Sequence, residues 1–333
     1  MMITGYKLMS KQRQLFHFGE TNLDTTSYVL ASDSLFSALV FSYLHHESEF
    51  QKRNELFEEL KNSIFSLSSL YFGIKHNEYE TYFISMPKNF KISKQLFEED
   101  SKFLKKCEFI SLRVLELWNK EGSEGITSSN VVKIQNSMCL VTRNEFNELN
   151  LEENQELFYE MNESKVQLVK DADNELFKIE SFMFNPKLNM FFYFLIDSNS
   201  KDIIEKSLSQ LCISYGLGGD ISVGKGSIES FGEFSLNVSE SGNFKLSLGK
   251  YVPEQEDLSF LDESYYSISS RKGYVFANSH KRKDCFCFDE GSVFDNISDK
   301  GSILDVTPEN FNAHRVFKFF KPIMIPIEGG DKK

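Results

Sequence analysis

The apolar positions along the chain predict many short strands and few helices. Met2 to Met9 reads as a strand followed by a polar loop. Leu15-Phe16-His17-Phe18-Gly19 then leads through a Thr/Asn stretch to a helix start, where Ser32 is a good N-cap and Asp33 suits the positive helix end. Leu35, Phe36, Leu39, Val40, Tyr43 and Leu44 fall at helical spacing and define one apolar face. A second helix is predicted from Glu55 to Ile64, with Leu56, Phe57, Leu60 and Ile64 inward. Leu70 to Lys75 and Thr81 to Met86 read as strands joined by a polar turn. Lys102 to Trp118 mixes both periods, and the change from strand to helix is placed near Ser111.

Gly122 to Asn130 is a polar connector. Val131 to Val141 and Lys165 to Phe184 contain strand-like runs, so 122–180 reads as an insertion with a long hairpin. Met190 to Ile196 is continuously apolar, the mark of a buried strand, which assigns Phe191, Phe192, Tyr193 and Phe194 to the core. Asn199 or Ser200 caps a helix with Ile204, Leu208, Leu211, Cys212 and Tyr215 inward. After a glycine cluster come strands at Ser227 to Leu236, Asn243 to Leu248, Tyr265 to Ser270, Tyr274 to Phe276 and Cys285 to Phe288. The last, Arg315 to Ile327, is broken by Pro322 and Pro326, which predicts an edge. Strand–helix–strand–strand occurs twice. The expected fold class is α+β with antiparallel sheets, most simply two ferredoxin-like (RRM-type) domains over 1–180 and 181–333, the second carrying the glycine-rich loop.

Composition narrows the function classes. The 333 residues include 33 Phe against a single Trp, which points to a core of Phe and Leu and excludes wholesale disorder. No run approaches the ~20 apolar residues of a membrane helix, and Met1 to Phe16 has no signal-peptide pattern. Five scattered cysteines predict reduced thiols and a cytoplasmic protein. Cys285-x-Cys287 lacks the second pair that a zinc site requires, so no metal or cofactor is expected. The net charge of −12 disfavours polyanion binding unless the charge is segregated, and here it is. Asn144 to Ser164 holds seven Glu and no Lys or Arg, whereas Arg271 to Lys283 holds Arg271, Lys272, His280, Lys281, Arg282 and Lys283 with no acid.

The most informative segment is Gly216-Leu217-Gly218-Gly219-Asp220-Ile221-Ser222-Val223-Gly224-Lys225-Gly226. Five glycines permit positive φ and close backbone approach, exposed N–H groups can make an anion concavity, and Lys225 adds a point charge. A P-loop fails on two counts: Gly226 stands where a hydroxyl is needed, and the loop follows a helix and precedes a strand. A Gly218-Gly219-Asp220 polymerase-palm reading fails because Ile221 replaces the acid. Two readings stay open, a loop lying against single-stranded RNA and a tight helix-to-strand crossover.

His17 is the one histidine that suggests acid–base RNA cleavage, an RNA contact or a loop-ordering role. His45-His46 are adjacent on a helix and make no i, i+4 metal pair. Tyr265 and Tyr266, amid polar residues, are candidates for stacking bases.

The glycine loop after the second-unit helix resembles the signature loop of the RAMP superfamily of CRISPR proteins. His17-Phe18-Gly19 followed by Ser32-Asp33-Ser34-Leu35-Phe36-Ser37-Ala38-Leu39 is similar to that superfamily's first-domain start. Within it, Ser270-Arg271 to Gly273, Lys281-Arg282-Lys283, Phe288 to Gly291-Ser292-Val293-Phe294 and His314-Arg315-Val316 to Ile325-Pro326-Ile327 are similar to the Csm subunit four family of type III-A effector complexes. The resemblance implies two ferredoxin-like domains and a non-catalytic subunit that binds the 5′ repeat-derived tag of the crRNA in antiviral defence. It also implies contacts with the large polymerase-like Csm subunit and the backbone RAMP subunit, and a hairpin thumb that meets target RNA indirectly. Carried over by position, His17, Gly216, Gly218, Gly219, Gly224, Lys225 and Gly226 would face RNA, with Lys165, Arg271, Lys272, Lys281, Arg282 and Lys283 nearby. Two alternatives are a metal-independent RAMP endoribonuclease using His17, and an adaptor that binds protein through its acidic segment.

Overall fold

A computed structural model describes residues 1–19, 25–46, 65–167, 175–198, 201–254, 261–275, 280–295, 297 and 300–328. The predicted helix over Glu55 to Ile64 and the helix caps at Asn199 or Ser200 lie outside the described residues. The architecture is α+β, with mostly antiparallel strands and few helices.

One nine-stranded sheet dominates. Its strands are β1 (Met2–Met9), β2 (Phe65–Leu67), β3 (Tyr71–His76), β4 (Tyr79–Ser85), β5 (Phe109–Ser111), β6 (Val131–Ile134), β7 (Cys139–Thr142), β10 (Asn189–Ser198) and β11 (Ser230–Asn237). The order is β11-β1-β10-β3-β4-β5-β7-β6, with β2 also on β10. Only β5 and β7 run parallel among the pairings of this sheet. The sheet draws strands from both sides of the 180/181 division: β10 and β11 come from the second part, and β1 from the first lies between them, pairing Tyr6 with Phe194 and with Glu233. The predicted core run is fully inside, with Phe191, Phe192, Tyr193 and Phe194 all buried.

Two helices cover one face of this sheet, α1 (Ser32–His46) and α6 (Lys201–Gln210), which pack against each other. Leu35, Phe36 and Leu39 of α1 and Ile204 and Leu208 of α6 are buried, as their spacing predicts. Four short helices, α2 (Lys94–Glu99), α3 (Phe103–Lys106), α4 (Leu112–Glu121) and α5 (Arg143–Glu148), lie around the β5–β7 end. Ser111 marks the predicted boundary: it ends β5, and its side chain accepts from Val114 N at 3.2 Å as the N-cap of α4.

A long hairpin is present, but its strands differ from those expected: β8 (Phe158–Gln167) takes in the end of the Glu-rich segment and pairs in continuous antiparallel register with β9 (Glu175–Phe184), while Val131 to Val141 supplies β6 and most of β7 to the main sheet. The hairpin base is fixed to the body by a bridge between Phe16 and Phe182, whose backbones exchange hydrogen bonds of 2.8 and 2.9 Å. Phe16, Phe18, Phe158, Phe182, Phe184 and Phe192 pack edge-to-face or tilted around that bridge.

The remaining strands form small sheets. β12 (Phe244–Ser247) lies between β15 (Val293–Asp295) and β18 (Met324–Ile327), β13 (Ile268–Arg271) pairs with β14 (Cys285–Phe288), and β16 (Ser302–Asp305) pairs with β17 (Phe317–Phe320). Pro326 sits in β18 at the edge of its sheet, where its missing N–H is tolerated. Among the described residues no helix is long and apolar enough to cross a membrane.

Candidate nucleic-acid interface

The glycine loop begins where α6 widens at its C-terminal end. Leu211 to Tyr215 form a single π turn, and Gly216 N donates to Leu211 O at 3.0 Å. Such turns often stand at functional sites. Gly216 and Gly226 then close the loop: Leu217 N donates to Gly226 O at 2.8 Å, and a Cβ on Gly226 would lie 2.0 Å from Leu217 O. Gly218 and Gly219 press onto the His17 segment. Gly219 N donates to His17 O at 2.8 Å, and a Cβ on Gly218 would lie 2.4 Å from that same oxygen.

Four of the five glycines in this run are therefore closely approached by the protein itself, Gly216, Gly218 and Gly226 by backbone and Gly219 by the His17 ring. Gly224 differs. It has φ +90 with open space where a Cβ would be, and it ends an exposed tip formed by Ile221, Ser222, Val223 and itself.

Lys225 corrects the expectation of an outward point charge. Its side chain is 4% exposed and turned under the loop, where Nζ donates to Glu163 at 3.0 Å and to Ser181 Oγ at 2.8 Å and lies 3.2 Å from Asp220. Lys165 on β8 donates to the same Asp220 carboxylate at 2.6 Å. Burial alone would raise the Asp220 carboxyl, but the two lysines outweigh it and hold it below the usual range. The two lysines and two acids tie the loop to the hairpin and leave no net charge between them.

His17 is likewise inward, 5% exposed, with Nδ1 against Glu180 O at 2.7 Å and its ring against Gly219. It thus sits between the loop and the backbone of β9.

The basic stretch divides in the same way. Arg271 is buried and holds Asp33, with Nη2 2.9 Å from Oδ1 and Nε donating to Oδ2 at 3.1 Å. Lys318 donates to Asp33 as well. Asp33 stands in the first turn of α1 as expected, and is also the centre of a buried cluster. Ser32, expected as a cap, accepts from Lys250 N at 2.9 Å. Arg282 is half-buried and donates to Lys272 O at 3.0 Å across Gly273. Lys272, Lys281 and Lys283 are exposed on the continuation of the β13–β14 hairpin, where Tyr274 bridges Lys281.

The structure thus gathers the predicted residues into two groups, the glycine loop with His17 and Lys165, and Arg271 with the basic hairpin. Tyr265 is tied to Val293 by paired backbone bonds of 2.8 Å. Tyr266 is exposed beside an open groove of about 540 Å³ that also borders Lys88 and Asp262. Among the described residues no group of three His, Cys, Asp or Glu could hold a metal ion.

The acidic segment is engaged in part, while Glu152, Glu153 and Glu156 are exposed. Glu145 is buried in a capping box on α5 and accepts from Ser111 and Thr81, Glu148 pairs with Arg113, and Glu163 with Lys225.

Residues 240–327, the region of β12 to β18, match the model of the CRISPR Csm4 C-terminal domain. Over 98% of its length the chain is 27% identical to CRISPR system Cms protein Csm4 of Methanocaldococcus jannaschii, covering 97% of that protein. It is 24% identical to the protein of the same name from Streptococcus thermophilus, over 97% of this chain and 99% of that one. The chain is thus similar to Csm4 proteins along nearly its whole length. The fold agrees: it aligns over 98% of its length with a chain from the crystal structure of a Csm3-Csm4 subcomplex of the type III-A CRISPR-Cas interference complex, at a TM-score of 0.71 and 22% identity. A chain from a Csm1-Csm4 cassette in complex with cA4 aligns over the same share at a TM-score of 0.55 and 14% identity. Within the matched residues 240–327, the Phe288 to Phe294 motif is held by its own hydrogen bonds: Asp289 accepts from Lys250, Ser267 and Ser269, and Ser292 Oγ donates back to Asp289 O.

Proposed function

We propose that this chain is a non-catalytic, RNA-binding subunit of a cytoplasmic type III-A CRISPR ribonucleoprotein that holds the 5′ tag of the crRNA. In that role it would bridge the large polymerase-like subunit to the backbone RAMP subunit, meet target RNA only indirectly, and serve antiviral defence. The observation that carries the reading is the exposed loop tip at 221–224, held rigidly between the His17 segment and the β8–β9 hairpin in a chain similar to Csm4 over nearly its whole length. Backbone and cationic contacts fix the register of a strand without reading its sequence, which suits a subunit that must accept any guide. The solved structures in which relatives sit beside Csm3 or Csm1 support the partner assignment.

The endoribonuclease alternative needs an exposed acid–base group, and the buried His17 argues against it. The adaptor alternative would have to work through Glu152, Glu153 and Glu156, because Glu145, Glu148 and Glu163 are already paired within the chain. The test is affinity purification of the tagged full chain from its host, followed by sequencing of the bound RNA. Short RNAs sharing one repeat-derived 5′ sequence are expected. Purification with partner proteins but without RNA would overturn the proposal.

A further inference from the structure

With Lys225 and Lys165 turned to the acids beneath the loop, the cations that meet phosphate at the exposed tip must come from elsewhere. The structure places a short basic turn beside it. Lys11, Gln12 and Arg13 are all exposed, and Gln14 N donates to Lys11 O at 3.2 Å to close the turn. Arg13 adopts a left-handed backbone (φ 62), a conformation uncommon for a residue with a side chain, so the turn has a defined shape.

The turn is fastened to the loop tip. Gln14 Nε2 donates to Gly224 O at 2.8 Å and to Leu15 O at 3.1 Å, while Gly226 N donates to Leu15 O at 2.8 Å. Glu229 N donates to Met9 O at 2.7 Å, so the turn is tied to the segment after the loop at both of its ends. Lys11 and Arg13 are thus held within three residues of the side chain that touches Gly224. Among the described residues neither meets an acidic partner. Their neighbours on the tip, Ile221 and Val223, expose apolar surface, and the Lys225–Asp220–Lys165–Glu163 cluster beneath is electrically balanced. Cations on a fixed turn beside an apolar, glycine-ended tip suit a single strand, with phosphates on the turn and sugar or base against the tip.

We infer that Lys11 and Arg13 are the phosphate-contacting cations of the glycine-loop site, and that Lys225 and Lys165 are positioning residues that shape the loop from below. The inference rests on the RNA-binding reading and adds the residues that carry it.

The test titrates the full chain with a fluorescently labelled, mixed-sequence single-stranded RNA across a salt series, for wild type, Lys11→Ala/Arg13→Ala and Lys225→Met. Each phosphate contact contributes ~0.7 to the slope of log affinity against log salt. Removing both turn cations should lower the slope by about 1.4, and binding should weaken uniformly across sequences. Lys225→Met should leave the slope unchanged while raising amide exchange in 216–226 and in β8. Wild-type binding with an unaltered slope in Lys11→Ala/Arg13→Ala would overturn the assignment and leave the RNA-binding reading standing. Failure of the wild type to bind would overturn both. Circular dichroism of the double variant matching wild type shows that a lost slope is not lost folding, because both side chains are exposed.

Discussion

Asp33 and Arg271, 238 positions apart, form a buried pair, with the carboxylate at 0% exposure and the guanidinium at 6%. Lys318 on β17 joins them, so one carboxylate fastens the start of α1 to two strands of the C-terminal region. A buried cation left without its counter-charge typically costs about 3–5 kcal/mol. Asp33→Ala leaves two, and a loss of stability at the upper end of that range is expected in chemical denaturation. Arg271→Met, which leaves Asp33 still paired with Lys318, should cost less.

The same cluster predicts acid sensitivity. Burial alone would raise the Asp33 carboxyl, but Lys318 and Arg271 outweigh it and hold it far below the usual carboxylate range. A carboxylate depressed in the folded state contributes stability that is complete above its unfolded pKa of about 3.9 and disappears as pH falls through the folded value. Stability should therefore drop steeply as pH falls below about 4. Asp33→Asn should be less stable at neutral pH and show a shallower acid slope. An acid slope identical in the two proteins would contradict this.

The loop glycines should separate by cost. Gly224→Ala meets open space and faces only the left-handed backbone, a strain of about 1–2 kcal/mol. Gly218→Ala adds a Cβ 2.4 Å from His17 O at a φ of +91, so backbone must also shift, and its loss should be clearly larger. Thermal melts of the two variants decide this. Equal losses would mean that the close approach at Gly218 is relieved without cost.

His17→Ala tests the inward histidine. With the ring gone, Gly219 and Glu180 O lose their contact, and a destabilisation of about 1–3 kcal/mol is expected from the cavity and the lost hydrogen bond. Incubated with a repeat RNA, wild type and variant should give the same intact band. Cleavage by the wild type that disappears in the variant would revive the nuclease reading.

Much of the fold is legible in the sequence because its signals are local. The alternation in Met2 to Met9, the spacing after Ser32, the cap at Ser111 and the apolar run of β10 each act within a few residues. What is not legible is set by chain segments far apart in sequence. Nothing near Asp33 announces Arg271 and Lys318, so a residue that reads as a helix-dipole partner is also the centre of an ion cluster. Lys225 reads as a phosphate ligand because Glu163, the hairpin acid that it meets, lies 62 residues earlier. The glycine loop is locatable from its letters, but its cations on the Lys11–Arg13 turn are not, because the link runs through the Gln14 side chain to Gly224 across 210 positions. The strands of the two predicted domains join one sheet through pairing between β1 and β10, which local periodicity does not encode.

The most direct test of the account is photo-crosslinking of the crRNA within the assembled complex, with the modified peptides identified by mass spectrometry. Crosslinks on this chain are expected within 9–19 and 216–229, the two segments that meet at the loop. Crosslinks confined to other surfaces, with these peptides recovered unmodified, would contradict it.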